Sequence, residues 1–130
     1  MAMQDENSWC FACGPDNPMG LKLTFYEEDD TYKTTFTAER KHQGYNGIVH
    51  GGIVSTLLDE VMARYIYSKG IQAVTARLEV RYRNPTPIGQ KLLVSGKIVS
   101  QRRKMYELSG TICLEDGTVT AEGKAIVMAV

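Results

Sequence analysis

His50-Gly51-Gly52, followed nine residues after the histidine by Asp59, combines residue types that do chemistry with a spacing that separates them. The first amides of a helix have no intrahelical acceptor and carry the positive end of the helix dipole, so paired glycines there let a ligand oxygen come close to the backbone. Gly51 and Gly52 suit an oxyanion hole, or else simply permit a tight loop-to-helix junction. Nine helical residues turn the side chain by about half a revolution from that of His50 and carry it about 13 Å along the axis, out of reach of those amides. A second copy of the helix running antiparallel alongside brings Asp59 of one chain to the glycine turn of the other, twice per two-fold dimer.

Asp59 sits beside Ser55, Met62, Ala63 and Ile66 on a helical wheel, at the border of the apolar stripe, where a carboxylate needs a partner or a task such as general base. The bland alternative is an ordinary aspartate on the polar edge. His50 either contacts a substrate or fixes the turn through its ring nitrogens. The chain has neither a Gly-x-Ser-x-Gly elbow nor a phosphate-cradling glycine-rich Lys-Ser/Thr loop, which disfavours serine nucleophiles and nucleotide hydrolysis.

Val54, Leu57, Leu58, Val61, Met62 and Tyr65 recur at helical spacing and predict one long helix over about 51–69, with Gly70 as its stop. Glu60 and Arg64, one turn apart, read as an exposed ion pair. Leu21 to Tyr26 and Tyr32 to Ala38 alternate as a hairpin around Glu28-Asp29-Asp30, and four further strands are predicted over Ala73–Asn84, Gln90–Ser100, Lys104–Cys113 and Thr118–Val130. One helix and five or six strands imply an α+β fold, the helix lying on one face of an antiparallel sheet. In 74–82, Val74, Ala76, Leu78, Val80 and Tyr82 form the set expected to face the helix, with Thr75, Arg77, Glu79 and Arg81 outward. So long an alternation suits a sheet edge where two copies join.

The 130 residues suit one domain, preceded by a turn-rich stretch over 1–19. No apolar run approaches the ~20 residues of a membrane span. The start Met1-Ala2-Met3-Gln4-Asp5-Glu6 lacks a basic or hydrophobic targeting pattern, so a cytoplasmic protein is expected. Three cysteines, two of them in Cys10-Phe11-Ala12-Cys13, do not make a secreted disulfide framework. Two thiolates fill only half of a zinc site, which leaves a buried turn as the expectation for that pair. Net charge is zero, yet residues 71–104 hold eight basic side chains against Glu79 alone. Such a patch either meets an anionic ligand or forms solvated strand faces, and it is too short and too well balanced elsewhere for a nucleic-acid domain.

Gly47-Ile48-Val49-His50-Gly51-Gly52-Ile53 with Leu57-Leu58-Asp59-Glu60, supported by Tyr82-Arg83-Asn84-Pro85 and by Cys10-Phe11-Ala12-Cys13-Gly14 with Asn17-Pro18-Met19-Gly20-Leu21, resembles the hotdog-fold acyl-CoA thioesterases. The likeness is to the PaaI-like branch of the 4-hydroxybenzoyl-CoA thioesterase superfamily. It implies a central helix wrapped by a curved five- to six-stranded antiparallel sheet, a homodimer or dimer of dimers, and hydrolysis of acyl-CoA to carboxylate and CoA without metal or cofactor. By position it makes Asp59 the catalytic carboxylate of one subunit and Gly51 the amide donor of the other, with His50 and Gly52 shaping the turn. Thr75 falls where relatives place a hydroxyl that helps hold water, a role that requires a bulge in its strand. The basic segment then gains a purpose in Arg81, Arg83, Arg102 and Arg103, as contacts to the CoA phosphates.

Two other readings stay open. One is a non-catalytic acyl-CoA binding module; the other is a hotdog-fold dehydratase or hydratase, whose acid/histidine pattern is not found here. No DNA-reading helix pair precedes the domain, and neither nucleic acid nor membrane is expected as a partner.

Overall fold

The computed structural model describes residues 7–130, so the leading hexapeptide, on which the targeting expectation partly rests, lies outside the described residues. Six strands form one antiparallel sheet: β1 (Tyr26–Glu28), β2 (Thr31–Thr37), β3 (Ala73–Tyr82), β4 (Lys91–Arg102), β5 (Met105–Leu114) and β6 (Val119–Ala129). The order across the sheet is β1-β2-β4-β5-β6-β3, which leaves β3 as an edge. Helix α1 (Gly51–Tyr67) lies on one face and buries Val54, Leu57, Leu58, Val61, Met62, Tyr65 and Ile66 against Leu92, Val94, Leu108, Ile112, Ala125 and Val127. Among the described residues, no helix is long and apolar enough to cross a membrane.

The helix can sink this deeply because the strands beneath it lack side chains at the crossing. Gly96, Gly110 and Gly123 stand in register on β4, β5 and β6. A Cβ at Gly96 would come within 3.0 Å of the Val61 carbonyl oxygen, and one at Gly123 within 3.1 Å of Met62 Cε. Glycine inside a strand commonly marks close approach of another backbone, and here it forms a row across three strands that seats the helix.

Two expected elements differ. Leu21–Phe25 forms no sheet strand, and Lys22 within it is left-handed at φ 56°; Leu21 and Leu23 donate instead to the Phe11 and Ala12 carbonyls, tying down the N-terminal turns. A short 3-10 turn over Arg40–His42 had no periodic signal. The hairpin turn holds Asp29 and Asp30 at φ 53° and 59°, the paired left-handed geometry that matches strand twist in a two-residue connection.

Enlarging the helix seat should cost stability without altering topology. Gly96→Val is expected to lower the unfolding free energy by about 1–3 kcal/mol in urea titration, as overpacking does. An unchanged midpoint would show that the helix is not seated on the glycine row.

Candidate functional site

His50 is the N-cap of α1, and its Nδ1 accepts the Gly52 N–H at 2.8 Å. Its carbonyl takes the next donors, Ile53 and Val54, at 2.9 and 3.1 Å. The ring therefore fixes the turn and occupies the Gly52 amide, which corrects the expectation that both glycines offer free donors. Among the described residues no acceptor meets the Gly51 N–H. One aimed amide at the positive end of a 17-residue helix is what remains for a ligand oxygen. Gly44 packs against His50, where a Cβ would come within 3.2 Å of the His50 Cα.

The outer side of this turn is held by β3. Tyr82 Oη donates to the Gly51 carbonyl at 2.9 Å and lies 2.9 Å from Ser55 Oγ. A phenol has one proton, and since the Gly51 carbonyl receives it, Ser55 donates to Tyr82. Alternation had assigned Tyr82 to the apolar face. Its hydroxyl has a polar task that no spacing in one sequence displays.

At the other end of β3, Thr75 Oγ1 donates to Asp59 Oδ1 at 2.7 Å. The register of β3 against β6 slips between Thr75 and Arg77, the bulge that this contact requires. The bulge overturns the uniform alternation: Val74 is 56% exposed and Ala76 is exposed, whereas Thr75 turns in toward the helix with Leu78 and Val80 beyond the slip. Asp59 is half-buried, and among the described residues its second oxygen has no hydrogen-bond partner. A hydroxyl on Oδ1 orients the carboxylate and leaves Oδ2 for a water or a substrate.

Asp59 with Thr75 and Gly51 with Tyr82 thus occupy opposite ends of the same edge strand, with α1 antiparallel to β3.

The basic candidates divide. On the sheet face away from the helix, Arg81, Arg83, Lys97 and Lys124 line a cavity of about 460 Å³ together with Glu79 and Glu122. Arg83 is already paired there, Nη2 to Glu122 Oε1 at 2.7 Å. Arg102 and Arg103 lie instead at the exposed β4–β5 turn and do not line the cavity. Nor do Glu60 and Arg64 form the surface ion pair expected of them. Glu60 is half-buried beside the Cys13 thiol; burial first, then the Glu60 charge, push that thiol up, and burial likewise raises the Glu60 carboxyl.

Residues 46–121, more than half of the chain, match the family model of the thioesterase superfamily. The chain is 28% identical over 85 residues to mouse acyl-coenzyme A thioesterase THEM4, covering 65% of this chain and 36% of that one. It thus spans little more than a third of that relative's length. A crystal structure of a thioesterase superfamily protein superposes with a TM-score of 0.82 at 30% identity, over 88% of this chain and 60% of that one. A Streptococcus mutans protein crystallised with acetyl CoA superposes with a TM-score of 0.77 at 23% identity, over 83% and 88% of the two chains. With one helix on a six-stranded antiparallel sheet and a family match across the glycine turn, Asp59 and the strands that frame them, the chain belongs to the hotdog-fold thioesterase superfamily.

Proposed function

We propose that the protein is a cytoplasmic homodimeric acyl-CoA thioesterase that hydrolyses a thioester to a carboxylic acid and CoA at sites shared between subunits. The observation that carries this reading is the placement of Asp59–Thr75 and Gly51–Tyr82 at opposite ends of an edge strand. A two-fold axis through the middle of β3, pairing it with its own copy, exchanges those ends. The carboxylate of each chain then approaches the free amide of the other, the arrangement an isologous interface repeats twice. Relatives described as acyl-coenzyme A thioesterases support the substrate class.

In this mechanism the Gly51 N–H of one subunit donates to the thioester carbonyl oxygen. Asp59 of the other takes a proton from water through Oδ2 as the water oxygen attacks the carbonyl carbon. The negative charge forms on the oxygen facing Gly51, where one preorganised donor is worth about 3 kcal/mol. Collapse breaks the carbon–sulfur bond, and the departing CoA thiolate recovers the proton from Asp59. Thr75 holds the carboxylate in the orientation the water requires, while Tyr82 and His50 hold the turn. The cationic side chains around the outer cavity suit the phosphates of CoA, with Arg81 the better candidate because Arg83 is engaged by Glu122.

A free-thiol assay over a panel of acyl-CoA substrates tests the activity. Asp59→Asn is expected to reduce kcat by at least about 100-fold, the lower range for a lost general base. Saturable acyl-CoA binding with no thiol release from the wild type would identify a binding module instead, and full activity in Asp59→Asn would remove that residue from the chemistry. Thr75→Ala should lower kcat by about 10-fold or more with KM little changed, the scale of a hydrogen bond to a charged group; an unaltered kcat would make Thr75 a packing residue. Arg81→Ala should raise KM about fivefold at low salt, as loss of a ~1 kcal/mol surface contact would. A change confined to kcat would contradict the phosphate role.

A further inference from the structure

Cys10, Cys13 and Glu60 lie outside the site described above, yet they converge. Their two sulfurs and a carboxylate oxygen all fall within 4.8 Å of one another, and all three residues are half-buried. Two elements far apart in sequence make this convergence. The N-terminal turn is closed by the Gly14 N–H on the Cys10 carbonyl at 2.8 Å, and a Cβ at position 14 would come within 2.3 Å of the Cys10 nitrogen, so only glycine directly after Cys13 allows the tight reversal that carries both thiols. Helix α1 supplies Glu60 from below. A cavity of about 210 Å³ opens beside the three, lined also by Asn7, Arg64 and Tyr67.

We infer that Cys10, Cys13 and Glu60 form a zinc-class divalent metal site that fastens the N-terminal turn to α1. Zinc–sulfur bonds of about 2.3 Å and zinc–oxygen bonds of about 2.1 Å in a tetrahedron put neighbouring ligand atoms about 3.5–3.8 Å apart. The observed cluster needs to contract by no more than about 1.3 Å to meet that geometry. The Cys-x-x-Cys spacing is the usual half-site for zinc, and Glu60 adds a third ligand that sequence spacing had not revealed. The fourth position opens toward the cavity and suits a water.

Charge supports the assignment. Two thiolates and a carboxylate around a divalent ion leave one net negative charge, and the Arg64 guanidinium acts electrostatically on both Cys13 and Glu60. Its Nε is buried and, among the described residues, meets no acceptor. Glu60 is half-buried, and the groups beside it, a thiol and the Arg64 side chain that does not ion-pair with it, are a poor offset for its desolvation. Two thiols and a carboxyl that lose protons to a metal exchange this poor pairing for strong ligation.

The test uses the full chain, reduced and stripped of metal, titrated with Zn2+ and with Co2+. Stoichiometric zinc retention through gel filtration, thiolate-to-cobalt charge-transfer absorption in the near ultraviolet and a higher Tm with zinc are expected. Cys10→Ser, Cys13→Ser and Glu60→Gln should each weaken binding at least tenfold, with Cys113→Ser unchanged. Glu60→Gln keeps the shape of the side chain and decides the matter if a cysteine variant fails to fold. Substoichiometric zinc without the cobalt bands would overturn the inference, as would binding unaffected by Glu60→Gln or a Cys10–Cys13 disulfide that persists in place of metal under reducing buffer. These readouts are independent of acyl-CoA turnover.

Discussion

The antiparallel hold of α1 on the edge strand β3 is the constraint from which the rest of the site follows. It is made at two points, Thr75 on Asp59 and Tyr82 on Gly51, with Leu78 and Val80 packed inward between them. Because the two contacts sit at opposite ends of a strand that, among the described residues, has no neighbour on its outer side, the carboxylate and the free amide are kept apart in one protomer. A second copy at that edge would bring them together. The apolar face of α1 is buried in the core against the sheet, and the glycine row of β4, β5 and β6 sets how close the helix comes to the sheet.

Within that frame the helix start is tuned by its neighbours. His50 caps the Gly52 amide, so the turn is fixed without using the Gly51 donor. Tyr82, itself held by Ser55, restrains the Gly51 carbonyl, which belongs to the peptide that follows the free Gly51 amide. Under the proposed mechanism the Gly51 donor would act strongly because it need not reorient as charge develops, and the restraint on its turn comes from a strand rather than from the helix itself. Stacking of Phe25, Tyr32 and Tyr65 secures the opposite end of α1, where the Tyr65 hydroxyl donates to Glu27.

Much of the fold was readable from periodicity. The single helix ends at Tyr67, two residues before its expected limit, and β3 to β6 appear within about two residues of their expected bounds. What alternation did not contain is the bulge in β3. Val74 and Ala76 look like core residues in a pattern of period two, and only the pairing with β6 shows that the parity inverts at Thr75. The candidate residues His50, Gly51 and Asp59 were legible because helix geometry and the family likeness both point to them. Tyr82, Ser55 and the Glu60–Cys13 contact depend on tertiary packing between elements distant in sequence, and basic density alone did not separate Arg81 and Arg83 from Arg102 and Arg103.

The shared site is tested most directly by mixing two inactive variants. Gly51→Pro removes the free amide at the first helical position, where proline is well tolerated and where His50, at φ −56° and ψ 135°, already has the extended geometry a following proline demands. Asp59→Asn removes the carboxylate. After equal mixing and subunit exchange, half of the dimers are mixed and each of those holds one intact site, so about a quarter of wild-type thioesterase activity should return. Activity that stays at the parental level while exchange is verified would contradict a site built from both chains.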